Sequence, residues 1–362
     1  MAKYDPPVNY QPGPVAMHPD VLAAMGQTPV SHRDPQFVAD LARVRATLCG
    51  LTQARFVEFL FGSGTLGNEA VAGQIALLER PGLVMVNGEF GGRLVDHARG
   101  WRLDYSVMEA AWGEPFDFEQ LAMRLAADGI GWIWLTHSET STGVLNDLER
   151  LTHLCRPLDV KLCVDCVSTL GTMALDLSQV WLASSSSGKA LGAPPGLALV
   201  FHNEPLTPAP ERLPRYLDLG LYHTARGVPF TVLTNLVYAL DAALAHVSPY
   251  RLASTAVDSA DLRRRLRAAG LQVVTPEAAA SPAVTTVALP AWRNSVAVGD
   301  ALEQQGFLVY YRSRYLTERN WLQVCLMGEY RADALPDLVD ALAALVRWVE
   351  REGNEHSRRA GD

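Results

Sequence analysis

Residues 181–201 read WLASSSSGKALGAPPGLALVF: an apolar run, four serines, a single lysine, then Gly192, Pro194, Pro195 and Gly196 ahead of a second apolar run. The lysine is the informative residue. A chain of 362 residues that holds only Lys3, Lys161 and Lys189 against 28 arginines does not place one between apolar segments for solubility. Read as a phosphate loop the segment fails, because Ala183 stands where the first glycine is required and Ala190 where a serine or threonine follows the lysine. Two readings remain: a solvated surface lysine, its stem on apolar neighbours, or a lysine held in a partly dry loop. In the second, desolvation lowers the amine's pKa and makes it a nucleophile toward an aldehyde, a Schiff-base lysine.

Working outward, short apolar runs at 55–61, 83–86, 131–135, 160–164, 180–183 and 197–201 predict buried strands. Helix-length stretches at 68–78, 117–127 and 147–156 lie between most of them. Strand, helix, strand order repeated in this way predicts an α/β fold, a mostly parallel sheet covered on both faces. Beyond Tyr250 the texture changes to an Arg-rich helix at 258–269, isolated strands at 271–274 and 284–288, and a terminal helix from Ala334 to about Glu350. The reading is a large domain over 1–250 and a small α+β domain over 251–362, with the GNEHSRRAGD tail frayed.

Composition narrows the function. With 49% hydrophobic and 19% charged residues the chain reads as globular, and a net charge of −8 disfavours a phosphate backbone as partner. Only Arg263 to Arg265 form a basic run. No signal-peptide pattern opens the sequence, and no apolar stretch nears the roughly 20 residues that span a bilayer. The expectation is a cytoplasmic protein with neither nucleic acid nor membrane as partner. Five cysteines fit reduced thiols better than a disulfide framework. Cys163 and Cys166 form a CxxC, but on a strand they point to opposite faces and no second pair follows, so no metal site is predicted.

In an open α/β sheet ligands gather at the carboxyl ends of the strands. After the first strand comes FGSGTLGNEA, residues 61–70. Gly62, Gly64 and Gly67 satisfy GxGxxG, which keeps a nicotinamide-dependent oxidoreductase in play, with Glu89 as ribose-binding acid; a plain tight turn is the blander possibility. The favoured reading is that Ser63, Gly64 and Thr65 open a helix whose N-terminus binds a phosphate. About 50 residues precede this strand, whereas the dinucleotide fingerprint usually opens its domain. After the strand ending near Leu135 comes the hydroxyl-rich THSETSTGVLND, and the next strand gives KLCVDCVSTLG, residues 161–171. Asp165 is a carboxylate in an apolar strand, and such groups are rare without a cation facing them.

One cofactor joins these pieces. Pyridoxal 5'-phosphate offers an aldehyde to Lys189, a protonated ring nitrogen to Asp165 and a phosphate to Ser63–Thr65. The order of phosphate turn, aspartate and lysine resembles fold-type I pyridoxal phosphate enzymes, and more specifically the class V aminotransferases of the alanine–glyoxylate, serine–pyruvate and aminoethylphosphonate–pyruvate group. The resemblance runs from NYQPGPVAMHP through SGTLGNEAV, VNGEFGGR, THSETSTGVL, VDCVSTLG, GKALGAPPG and PFTVLTN to the final MGE.

That resemblance implies roles. Lys189 forms the internal aldimine and shuttles the substrate α-proton; Asp165 pairs with the pyridinium and Val167 packs on one ring face. Phe90 stacks on the other face, Ser63, Gly64 and Thr65 bind phosphate, and Ser141 contacts the ring edge. Thr231 in PFT reaches the phosphate of a neighbouring subunit, which implies a homodimer with a shared active site. Pro12 and Gly13, through Pro14, and the SHR at 31–33 line the substrate mouth. Two positions depart from the family. Gly188 stands where a phosphate-bonding glutamine is usual, and Gln323 in LQVCLMG stands where an arginine grips the substrate carboxylate. A neutral amide gives up about 1.5–3 kcal/mol of charge-assisted hydrogen bonding. Arg312, Arg314 and Arg319 in YYRSRYLTERNW are candidates to replace it, each equally readable as a surface charge. The implied reaction is amino transfer from a small amino acid or amine to a 2-oxo acid through a quinonoid carbanion. A pyridoxal lyase, a β- or γ-replacement enzyme or a carbon–carbon bond-forming enzyme of specialised metabolism would use the same anchors.

Overall fold

The computed structural model describes residues 3–226 and 229–359, of which 348–359 as helix backbone alone. Its central sheet has seven strands in the spatial order Phe56–Gly62, Gly196–His202, Leu182–Ser186, Lys161–Asp165, Trp132–Thr136, Gly82–Val86 and Tyr105–Glu109. Gly196–His202 runs antiparallel to both its neighbours, and the remaining pairings are parallel. Parallel strands need crossovers that cover both faces. Here Phe59 and Leu60, consecutive on one strand, accordingly enter different apolar clusters, the first with Leu41, Val44 and Leu48, the second with Val71, Trp132 and Val200.

The covering helices start where the sequence supplies caps. Asp34 accepts from Gln36 N at 2.8 Å and opens Pro35–Thr52, and Asp117 and Asp147 do the same for Phe118–Ala127 and Leu148–Cys155. Helix Gly64–Ala76 packs on strands Leu182–Ser186 and Gly196–His202. It comes close because Gly67 lacks a side chain: a Cβ there would already touch the Ser184 Cβ at 3.4 Å.

A second, antiparallel sheet joins Gln272–Val273, Val284–Ala288 and Trp321–Cys325. Its apolar cluster gathers Leu262, Val287, Leu302, Leu322 and Leu338 from strands and from helices Pro249–Ala268, Ser295–Gln304 and Leu335–Arg359. Tyr10 belongs to the same cluster, and Val8 and Asn9 pair in parallel with Phe307 and Leu308. The start of the chain is thus fastened to its C-terminal part, although a boundary near residue 250 would group it with the first.

Three local differences from the sequence reading have physical causes. The strand expected at 180–183 runs over Leu182–Ser186 instead, with Ser184, Ser185 and Ser186 buried in it and their polarity absorbed by bonds such as Ser184 Oγ to Asn68 Oδ1 at 2.5 Å. Helix Glu89–Gly100 was hidden by Gly91 and Gly92, of which Gly91 lets the helix sit against the Val86 backbone. Strand Tyr105–Glu109 lies at the sheet edge and is only half buried, so it shows no apolar run. The terminal helix continues to Arg359 through the segment expected to fray.

Candidate active site

The carboxyl ends of the parallel strands, the segments that follow them and the start of Gly196–His202 enclose a cavity of about 360 Å³ that receives Ser63, Gly64, Thr65, Asn68, Phe90, Arg93, Thr140, Asp165, Val167 and Lys189. Lys189 follows the strand Leu182–Ser186 and is half buried. Burial pushes its amine below the ordinary lysine value, with the nearby Asp165 opposing. Among the described residues it makes no ion pair.

Asp165 ends the adjacent strand with its side chain buried. Burial raises its carboxyl above the usual range, against hydrogen bonds from Asn68 Nδ2 to Oδ2 at 2.8 Å and Val167 N to Oδ1 at 2.9 Å. Asn68 is itself fixed by Ser184. The cation expected to face Asp165 is not supplied by a salt bridge from the described residues, so the carboxylate keeps acceptor capacity toward the cavity.

Ser63 is the N-cap of helix Gly64–Ala76 but makes no side-chain capping bond, which leaves its hydroxyl and the first N–H groups of the helix available. Gly64 is required by its neighbour: a Cβ would lie 2.6 Å from the Val167 Cγ2. The dinucleotide reading of these glycines is overturned by topology. Strand Phe56–Gly62 is an edge strand whose one neighbour is antiparallel, and the chain passes four strand positions before Gly82–Val86. The fingerprint needs a parallel βαβ unit.

Phe90 stands at the start of helix Glu89–Gly100, where the buried Glu139 carboxylate accepts from Phe90 N at 3.2 Å, Gly91 N at 2.8 Å and Ser141 Oγ at 2.6 Å. Gly88 precedes them because a Cβ would meet Ser141 Oγ at 2.4 Å. Ser141 therefore spends its hydroxyl on Glu139, accepts from Glu89 N, and does not line the cavity. Side chains along Ser138–Thr140 alternate, and it is Ser138 and Thr140 that face the cavity, with Thr140 Oγ1 2.5 Å from Ser168 Oγ. Thr140, rather than Ser141, is thus the hydroxyl of this pair that the cavity receives.

At the mouth, Gly13 and Pro14 line the cavity while Pro12 is buried beside it. A Cβ on Gly13 would lie 3.7 Å from Lys189 Nζ. Ser31, His32, Arg33 and the exposed Thr231 lie outside this lining. Gln323 is fully buried and spent: Nε2 donates to Thr140 O and to Thr286 Oγ1 at 2.9 Å, and Oε1 accepts from Tyr315 OH at 3.0 Å. It braces Thr140 and does not line this chain's cavity, nor do the candidate arginines. Arg312 pairs with Asp300 and Glu303, Arg314 with Glu318, and Arg319 lies 3.4 Å over the Trp112 ring.

Besides Asn68 and Thr140, two basic residues of the cavity escaped the sequence reading. Arg93 follows Phe90 by one helical turn, pairs with Glu89 at 3.1 Å and lies over the Phe90 ring at 4.7 Å. His97, one turn further, is held by Glu69 at 2.8 Å. The GEFGGR motif contained Arg93, but its position on a cavity-facing helix was the missing signal.

These residues fit pyridoxal phosphate. A half-buried amine, a buried carboxylate with spare acceptor capacity and a helix N-terminus with an unengaged Ser63 converge on one space, held open by Gly64 and Gly13. A family model described as Aminotransferase class-V matches residues 22–214. The soluble hydrogenase 42 kDa subunit of Anabaena cylindrica is 34% identical over 299 residues, 77% of each chain. The 2-aminoethylphosphonate–pyruvate transaminase of Pseudomonas putida strain GB-1 is 28% identical over 307 residues, 80% of this chain and 83% of that one. Among solved structures, the alanine–glyoxylate aminotransferase of Nostoc sp. superposes with a TM-score of 0.82 at 30% identity, covering 95% of this chain and 96% of its own.

Proposed function

Because the chain belongs to the class V aminotransferases, fold-type I enzymes that work through pyridoxal phosphate, we propose that it transfers an amino group from a small amino acid or amine to a 2-oxo acid at Lys189. The observation that carries this reading is the meeting of Lys189 and Asp165 in one cavity at the ends of adjacent strands.

When bound, the cofactor supplies an aldehyde for amines and a ring that withdraws electrons from the substrate α-carbon. Lys189 would tether it through Nζ, and the same amine, at the cavity wall, would be the group that takes and returns the substrate α-proton. A placed base of this kind typically gives about 10²–10⁴-fold, and burial shifts the Lys189 amine below the ordinary lysine value, the direction that favours the base form. Asp165, with acceptor capacity left over, would pair with the ring nitrogen; Ser63, Gly64 and Thr65 would hold the phosphate without the glutamine that Gly188 replaces, and Phe90, Val167 and Thr140 would wall the ring.

The substrate's acid group goes to Arg93. With Gln323 spent inside the protein, Arg93 is the arginine that lines the cavity among the described residues. Its guanidinium suits a carboxylate, phosphate or phosphonate. Thr231 and the 31–33 segment, outside this chain's own cavity, serve a second copy in a homodimer. The apolar cluster around the second sheet supports a small domain beyond residue 250. No helix among the described residues is long and apolar enough to cross a membrane, in keeping with work in the cytoplasm.

The buried, neutral Gln323 also favours a second reading at the same site, elimination or replacement on a substrate without the usual carboxylate. Amino donors offered singly, with no oxo acid, separate the two. Stoichiometric conversion of the cofactor's visible absorption to that of its aminated form is the result expected of a transaminase. Turnover with a released fragment and no such conversion would establish the second reading instead.

A further inference from the structure

We infer that this protein binds one divalent d-block cation, of the zinc class, at Glu58, His202 and His223, at the end of the sheet away from the cofactor cavity. Glu58 comes from strand Phe56–Gly62, His202 from the paired strand Gly196–His202 and His223 from helix Leu219–Thr224. Glu58 and His202 are fully buried, while the His223 side chain keeps 21% of its surface open to solvent. His202 lies six residues along its strand from Gly196 at the cavity, about 20 Å away.

The distances are those of a coordination sphere. Glu58 Oε1 is 3.3 Å from His202 Nε2 and 3.3 Å from His223 Nδ1, and the three ligand atoms lie within 4.8 Å of one another. Tetrahedral zinc with bonds of about 2.0 Å separates its ligands by about 3.3 Å. Two histidines and one glutamate are also a known zinc ligand set, with the fourth position left to water.

The tautomer of His202 supplies an independent argument. Its Nδ1 lies 2.7 Å from the backbone oxygen of Glu204, an atom that only accepts, so Nδ1 carries the proton. Nε2 is then the ring nitrogen turned toward Glu58 Oε1, and an imidazole whose other nitrogen donates to a carbonyl is the usual outer arrangement of a metal-binding histidine. The second carboxylate oxygen is engaged by Arg45 at 2.8 Å, which fixes Glu58 with Oε1 turned to the two imidazoles, and the Phe56 ring stacks on His202 at 5.0 Å. The ion would clamp helix Leu219–Thr224 to the sheet edge.

The test uses the holoenzyme after chelator treatment, titrated with Co²⁺ and with Zn²⁺. One equivalent per chain is expected, seen as visible d–d bands of a four-coordinate cobalt site and as a saturating calorimetric isotherm. His223→Ala, at a partly open position, is expected to weaken binding by about 100-fold or more, the loss of a direct ligand exceeding the 10–100-fold seen for outer-shell partners. His223→Cys restores a ligand and is expected to recover Zn²⁺ binding. His246→Ala, in the more exposed group of His18, Asp20 and His246, is expected to leave it unchanged. Absence of a stoichiometric isotherm, binding undiminished in His223→Ala, or loss in His246→Ala instead would overturn the assignment. The cofactor spectrum serves as the folding check for each variant.

Discussion

Asp165 and Glu139 are both buried carboxylates beside the same cavity, and burial raises the pKa of both. They differ in what their oxygens have left to do. Glu139 accepts from Phe90 N, Gly91 N, and both Ser141 N and Ser141 Oγ, so its capacity is consumed inside the protein. Asp165 has Asn68 and Val167 N and turns the remainder to the cavity. A carboxylate accepts about four hydrogen bonds, so the first is structure and the second is a socket. The same inventory separates Gln323, which is spent, from Arg93, which reaches the cavity.

The comparison can be broken in order of consequence. Lys189→Ala is expected to lose at least the 10²–10⁴-fold of a placed base and the visible colour of the bound cofactor, measured by turnover and absorption. Asp165→Asn keeps the shape but removes the charge, and a kcat loss of about 10²–10³-fold with little change in Tm is expected, the scale of removing one preorganised electrostatic partner. Equal activity in Asp165→Asn would demote it to the class of Glu139. Arg93→Met is expected to raise KM for acidic substrates by about 10-fold or more, the worth of a charge-assisted hydrogen bond, and to spare uncharged amines; steady-state kinetics on paired substrates reads the difference. Glu139→Gln is expected to show the reverse of Asp165, about 1.5–3 kcal/mol lost in denaturant unfolding because hydrogen bonds to a charged acceptor are weakened, with cofactor binding altered only through Phe90.

The smallest effect concerns pH. Burial pushes His137 down to about 4, whereas the unfolded chain protonates near the ordinary histidine value of about 6.5. Between those values the unfolded state holds more protons, so stability falls as pH drops through that window and levels below it. His137→Gln, assayed by urea melts across the window, is expected to flatten that segment of the profile.

Much of the site could be read from sequence where local spacing carries it. Lys189, Asp165 and Ser63–Thr65 each sit at the end of an apolar strand, and the order of strands alone brings them to one edge. Thr140 could not be told from Ser141, because only the alternation of side chains along Ser138–Thr140 decides which hydroxyl faces the cavity. Arg93 and His97 were out of reach while the glycines concealed their helix. Gln323 showed only as a missing arginine; that it braces Thr140 depends on contacts across 183 positions of sequence. Glu58 and His202 meet across 144 positions through an antiparallel pairing, and the CxxC that drew notice instead holds Cys163 and Cys166 as buried free thiols.

The parallel pairing of Val8 and Asn9 with Phe307 and Leu308 orders events on the ribosome. Tyr10 O accepts from Cys325 N at 2.7 Å, so the stretch that ends at Gly13 beside Lys189 waits for strands translated after the whole seven-stranded sheet. Long-range closures of this kind form late. The nascent chain can finish its seven-stranded sheet, lysine included, with the entrance still undressed, and residues 8–13, made before that sheet, settle after it.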